Sequence, residues 1–264
     1  MMKKYLFVFI LTIFITACGS STEEETPQEI KKQPSTLLPE NLAIPNNQLS
    51  LDYDVLLIGN SHTQPIEKLL TVIFENANVS QKVNIDTRLG SFLDTIVDQD
   101  NIVEVFQTKP WTHVVLQGQK YSQSQSVEYS TDETKIWIQR AKAVGATPIL
   151  FPEHPQKSNP QEADYVHDIH LGIASEQYSC VAPVGLVWNK VGLVDPSLEL
   201  HASDRNHATE LGSLLTAMVL YQVISGQSAD MLPYIANLPG SEATQALFGQ
   251  MASQVIAENT PCNF

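Results

Sequence analysis

A chain of 264 residues with 43% hydrophobic side chains is long enough for one ordinary domain with a buried core. Its formal charge of −14 opposes binding to polyanions and excludes nucleic acid as the expected partner. An acidic, exported surface is the plainer account of that charge.

In chain order, Lys3 and Lys4 form a basic start, and residues 5–16 are 12 apolar or uncharged residues, fewer than the ~20 that span a bilayer. Ile15-Thr16-Ala17-Cys18 resembles a bacterial lipobox, a pattern in which the thiol is lipidated and becomes the new N-terminus. An ordinary cleaved signal and an uncleaved anchor are the alternatives. On the lipobox reading, residues 1–17 are a signal peptide and Cys18 is the lipid attachment point. Removal of Lys3 and Lys4 takes the formal charge from −14 to −16. Gly19 in place of an aspartate resembles the Gram-negative sorting pattern for the outer membrane, so the expected location is the bacterial cell envelope. Residues 18–48 are polar and proline-rich and read as a tether, leaving residues 49–264 as the folded domain. Cys180 and Cys262 are then the only other cysteines, and an oxidising compartment makes one disulfide their simplest reading. Two buried thiols are the alternative.

Within the domain, apolar strand-like runs alternate with longer helical patterns, which predicts an α/β fold with a mainly parallel sheet. Strands are expected at 53–58, 83–87, 113–117, 148–151 and 181–187. Helices are expected at 65–76, in part of 94–106, and at 134–144, 162–177, 207–224 and 242–256. Gly145 suits a left-handed helix terminus. In open parallel sheets ligands sit at the carboxyl ends of strands, near the reversal of strand order. Ser61, Gly90, Gln117 and Gln119, Glu153 and His154, and Trp188 and Asn189 all follow strands in this reading. Asp204 and His207 precede a helix that returns to the same edge.

Those residues carry the chemistry. The first piece is Gly59-Asn60-Ser61-His62, directly after the apolar run 55–58, and the second is Asp204-Arg205-Asn206-His207. A serine hydroxyl is protonated near neutral pH and needs a base to become a nucleophile. His207 can take that proton and return it to a leaving alcohol, and Asp204 can hold the imidazole tautomer. The plainer alternatives are helix caps for Ser61 and for the Asp204–His207 pair. An oxyanion would need N–H donors, for which Ser61, Gly90, Gln117 and Gln119 are the candidates. Gly90 as a turn glycine, and the two glutamines as buried structural hydrogen bonds, stay open.

These blocks resemble the SGNH, or GDSL-type, hydrolase superfamily in order, spacing and placement over most of the domain. Gly59-Asn60-Ser61-His62 is similar to its first block, Gly90 stands at its second, and Asp204-x-x-His207 followed by Gly212 is similar to its last. The third block of the family is Gly-x-Asn, whereas this chain has Leu116-Gln117-Gly118-Gln119, similar to a glutamine variant of divergent members. The resemblance implies a flavodoxin-like three-layer α/β/α sandwich with a five-stranded sheet. It also implies ester hydrolysis without a metal or other cofactor, often on acylated carbohydrates.

Weaker features complete the reading. His167 and His170 lack a third ligand at convincing spacing and are expected on a solvated helix. Glu153 and His154 are candidates to line the substrate cleft, with a turn before Pro155 as the alternative; Trp188 is a candidate sugar-stacking platform, with a core or rim aromatic as the favoured reading. Asn78-Val79-Ser80 matches a glycosylation sequon, without weight beside a bacterial-type lipobox. The expectation is therefore a lipid-anchored serine esterase acting on small acyl esters or O-acetylated glycans. The alternative is a noncatalytic, glycan-binding envelope lipoprotein on the same fold.

Overall fold

In the computed structural model, residues 41–77 and 81–264 are described. The signal peptide, Cys18, most of the tether and the sequon lie outside them. Strand β1 (Tyr53–Gly59) sends Tyr53, Val55 and Leu57 into one apolar layer, and Leu56 and Ile58 into the other. This is the alternation that a strand covered on both faces requires. Around it stand β2 (Val83–Leu89), β3 (His113–Gln117), β4 (Thr147–Phe151) and β5 (Cys180–Val181), paired in parallel in the order β2-β1-β3-β4-β5. Strand order reverses between β1 and β3, so their carboxyl ends flank the crevice where doubly wound sheets place a site.

Helices cover both faces of the sheet. Helix α1 (Ile66–Asn76) contributes Ile66, Leu70, Ile73 and Phe74 to the first layer. The short α2 (Leu93–Ile96) and α3 (Asp100–Val103) lie on the second, with α4 (Asp132–Ala143), which adds Trp137, Ile138 and Ala141. Helix α4 ends at Gly145, whose φ of +78° is the left-handed conformation that favours glycine. Helices α5 (Gln161–Glu176), α6 (Val184–Val194), α7 (Glu210–Ser225) and α8 (Glu242–Glu258) complete the sandwich. Helix α7 is buried almost all round from Gly212 onward. The Thr209 hydroxyl caps its start by accepting from Gly212 N–H at 3.2 Å.

Three elements depart from the sequence reading. The fifth strand ends at Val181, and the apolar run continues as α6, with Val184, Val187 and Val191 on its buried face. A short apolar run fits a buried strand or a buried helix equally well, and Pro183, which cannot donate to a ladder, marks the change. Trp188 and Asn189 therefore sit on a helix, not at a strand end. The next helix begins at Glu210, leaving His207 in the loop before it. Residues 41–48, expected in the tether, lie against the domain. Ile44 is 8% exposed, and Asn47 Nδ2 donates to the carbonyls of Thr112 and Gly145 at 2.9 Å each.

Cys180 and Cys262 form a disulfide that ties the amino end of β5 to the C-terminal segment, across a sequence separation of 82. It lies on the edge strand β5, three strands across from β1, which leads to Ser61. Closing a loop of that length is worth about 4 to 5 kcal/mol in the chain-entropy picture.

Candidate active site

After Gly59 the chain makes a tight turn before α1 begins. Thr63 N–H donates to the Asn60 carbonyl at 3.0 Å, and Ile66 N–H to the Thr63 carbonyl at 3.0 Å. Asn60 Oδ1 accepts from His62 N–H at 3.1 Å, an Asx-type closure. Ser61 is thereby lifted to the exposed apex of the turn. It is not a helix cap, because α1 starts five residues later at Ile66 behind Pro65.

The second piece is also shaped locally. Asp204 Oδ1 accepts the N–H groups of Asn206 at 3.0 Å and His207 at 2.9 Å. Arg205 takes the left-handed region, φ +67°, so that the loop can fold back over that carboxylate. Lys157 N–H donates to the Arg205 carbonyl at 2.9 Å and ties the loop to the segment after β4. His207 Nδ1–H then donates to Asp204 Oδ2 at 2.6 Å, and Ser61 O–H donates to His207 Nε2 at 2.7 Å. The bond from His207, helped by the two amides, holds the Asp204 carboxyl well below the usual carboxylate range. An ionised Asp204 puts the histidine proton on Nδ1 and leaves the Nε2 lone pair facing Ser61.

Under this surface runs a row of aromatic rings. His62 stacks on His207 with ring centroids 4.9 Å apart, and its edge meets His154 at 5.1 Å. His154 stacks on Trp188 at 3.7 Å. Burial, then the neighbouring charge of His207, lowers the His62 pKa to about 4, and burial lowers that of His154 to about 3. Both rings are neutral near pH 7. His154 Nε2–H donates to the Asn206 carbonyl at 2.8 Å, and Trp188 Nε1–H to Thr216 Oγ1 at 3.0 Å. Gly212 lacks a side chain where Trp188 passes: a β-carbon there would stand 2.5 Å from the indole edge.

The expected oxyanion donors separate. Ser61 N–H has no acceptor among the described residues, so it is free for a ligand. Gly90 N–H already donates to the Gly59 carbonyl at 2.9 Å, extending the β1–β2 ladder. Gly90 is a glycine because a β-carbon would lie 2.8 Å from Ile96. Gln119 Nε2 donates to the carbonyls of Lys120 and Ser130, and its Oε1 accepts from Thr134 at 2.6 Å, away from Ser61. Gln117 is fully buried, with Oε1 accepting Asn60 N–H at 2.9 Å and Nε2 donating to Glu153 at 3.1 Å. Gln119 Nε2 is committed to two carbonyls, while the buried Gln117 Nε2 gives one bond, to Glu153. A group the sequence analysis did not single out is Asn60 Nδ2, which has no acceptor among the described residues. It faces Gly118, where a β-carbon would stand 3.6 Å from it. An asparagine directly before the candidate nucleophile was the available signal.

The substrate-lining expectation is corrected as well. His154 and Trp188 are 4% and 3% exposed, and Glu153 keeps 16% of its side chain exposed; Trp188 reaches the surface in a groove of about 480 Å³ that it shares with Pro155, Pro160 and His201, and that the triad residues do not line. His167 and His170 are buried on α5, 6% and 2% exposed, rather than solvated. His170 Nδ1–H donates to the Val166 carbonyl at 2.7 Å within the helix. Beside the triad, a groove of about 670 Å³ opens between α1 and the start of α7, walled by Gln64, Lys68, Ala208, Glu210 and Leu238.

No protein-family model matches the sequence, and no curated protein does. Among solved structures, the chain is similar to a Slackia heliotrinireducens protein assigned to the SGNH hydrolases. The TM-score is 0.51 at 19% identity, over 65% of this chain and 98% of that one. It is also similar to a DUF4886 family protein from Bacteroides uniformis, with a TM-score of 0.60 at 12% identity, over 80% of this chain and 97% of that one. The five-stranded parallel sheet flanked by helices is the α/β fold of SGNH hydrolases.

Proposed function

We propose that the protein is a serine hydrolase of small acyl esters, with Ser61 as nucleophile, His207 as base and acid, and Asp204 as the group that orients the histidine. The observation that carries this reading is the unbroken line from Ser61 Oγ to His207 Nε2 at 2.7 Å and from His207 Nδ1 to Asp204 at 2.6 Å. Ser61 Oγ attacks the ester carbonyl carbon while His207 Nε2 takes its proton. The oxygen that gains negative charge is met by Ser61 N–H and Asn60 Nδ2. Collapse expels the alcohol, which takes the proton back from His207 and leaves an acyl group on Ser61. Water, deprotonated by His207, attacks that acyl carbon, and collapse releases the acid and restores the serine.

His207 and Asp204 expose 42% and 51% of their side chains, and an open site of this kind suits an acyl group carried on a bulky acceptor. O-acetyl groups on glycans fit that description. In this reading the lipid anchor at Cys18 holds the enzyme at the bacterial envelope. A noncatalytic, glycan-binding role is favoured by one observation, the commitment of Gly90, Gln117 and Gln119 to internal hydrogen bonds. Acetate release from p-nitrophenyl acetate, compared between the protein and its Ser61→Ala variant, separates the two. Loss in the folded variant supports Ser61 catalysis, and equal rates count against it.

A further inference from the structure

Below Ser61 the chain holds a set of polar groups that the acyl-transfer steps do not touch. Gln117 stands at the end of β3 with its carboxamide wedged against Gly59. A β-carbon on Gly59 would lie 2.6 Å from Gln117 Oε1 and would collide with Thr63 Oγ1. That oxygen accepts both Asn60 N–H at 2.9 Å and the Thr63 hydroxyl at 3.2 Å, the residues on either side of the Ser61–His62 apex. The amide nitrogen donates to Glu153 Oε2 at 3.1 Å. Tyr121 donates its hydroxyl to Glu153 Oε1 at 2.8 Å and lies within 3.2 Å of Glu162 Oε1. Its single proton serves one carboxylate at a time. Glu162 Oε2 in turn accepts from Gln156 N–H at 2.6 Å.

We infer that Glu153 is a positioning residue for the nucleophile, an inference that rests on the acyl-transfer reading of Ser61. Its carboxylate fixes Gln117, and Gln117 fixes the turn that presents Ser61. The ionised carboxylate accepts two charge-assisted bonds, each about twice as strong as a neutral one. Protonation removes that advantage. A proton on Oε2 opposes the Gln117 N–H, and one on Oε1 turns the Tyr121 hydroxyl towards Glu162. In both states Gln117 loses an anionic acceptor, and the turn loses its brace.

The groups facing Glu153 are Tyr121 from the segment after β3, His62 from the Ser61 turn at 3.9 Å, Glu162 from α5, and the more distant His207. No lysine or arginine is paired with it among the described residues. Burial pushes the Glu153 carboxyl up to about 7; the Tyr121 and Gln117 hydrogen bonds pull it down, and the charge of Glu162 pushes it up. The brace is therefore present above about pH 7 and is lost as pH falls through it.

The experiment is the second-order rate of labelling by an alkyl fluorophosphonate, from about pH 5.5 to about pH 9. It is run on the wild-type protein, Glu153→Gln, Tyr121→Phe and Ser61→Ala, each checked for native circular dichroism. Wild-type labelling should fall as pH drops through about 7. Glu153→Gln should label about tenfold more slowly at the alkaline end, and its acid limb should differ from that of wild type. Tyr121→Phe, having lost the bond that holds the Glu153 carboxyl down, should move the limb to higher pH. A folded Glu153→Gln variant with the wild-type rate and limb overturns the inference. Should that variant fail to fold, an unmoved limb in Tyr121→Phe overturns it alone. Labelling of Ser61→Ala at the wild-type rate, or none in wild type, instead overturns the acyl-transfer reading and the inference with it.

Discussion

Asp204 and His207 leave about half of their side chains in water, whereas Gln117, His154 and Trp188, one layer below, are almost wholly enclosed. The upper region is assembled by short-range geometry. Asp204 caps the two amides that follow it, and the partner of His207 Nδ1 is three residues away. The lower region is assembled by distant parts of the chain: Gln117 reaches 57 residues back to Asn60 and 36 forward to Glu153. On the proposed reading, reactive groups stand in solvent while the layer that aims them does not.

That contrast can be broken at either level. Ser61→Ala should lower ester hydrolysis at least about a thousandfold. The unfolding free energy should stay within about 0.5 kcal/mol, because the side chain is exposed; urea denaturation and p-nitrophenyl acetate assays read the two quantities. Trp188→Ala should do the reverse and cost about 3 kcal/mol or more of stability, since it empties the site beside Gly212 and unstacks His154. Urea midpoints at constant slope would measure it, and an unchanged midpoint would deny the buried layer its structural part. Asp204→Asn should reduce turnover about a hundredfold, because the amide can leave His207 in the wrong tautomer. Thermal unfolding should barely move.

A further effect is a pH dependence of stability with two opposed parts. His62 and His170 titrate near about 4 in the fold, and His113 and His154 near about 3, all lowered by burial. The unfolded chain takes up protons on these rings near 6.5, so their contribution is present above 6.5 and is lost as pH falls towards about 4. Glu153 works oppositely: the fold holds its proton up to about 7, so its contribution is present below the unfolded carboxyl value and fades as pH rises through 7. With His167 also lowered by burial, the rings outnumber the one carboxyl, and the melting temperature should fall between pH 6.5 and pH 4. Replacing His154 with glutamine should flatten that fall by one ring's share, read by calorimetry across the same range.

Much of the frame was legible in the sequence. The bounds of β3 match the reading, and α1 and α4 start within two residues of theirs, because long periodic runs with clear breakers leave little choice. The Ser61 and Asp204–His207 pieces were legible for the same local reason. The run 181–187 was not, since Val and Leu in a fully buried segment serve strand and helix alike. Nor were the parts played by Gln117, Gln119, Glu153 and Trp188. A glutamine or a tryptophan carries the same groups on a cleft wall as inside the core, and only its neighbours decide which of them are free.

By itself, the sequence determined the alternation of strands and helices, the Ser61 and Asp204–His207 pieces that could act together, and the cysteines able to pair. These depend on side-chain type and on spacing along a few residues. Only the tertiary structure decided that Gln117 bonds to the turn that carries Ser61, and that Gln119 bonds to Lys120, Ser130 and Thr134 instead. It also decided that Glu153 meets Gln117 and that His154 stacks on Trp188, both rings largely buried. Hydrogen bonds across 36 and 57 residues exist only once β1, β3 and β4 lie side by side, and it is burial between those strands that requires each polar atom to find its partner.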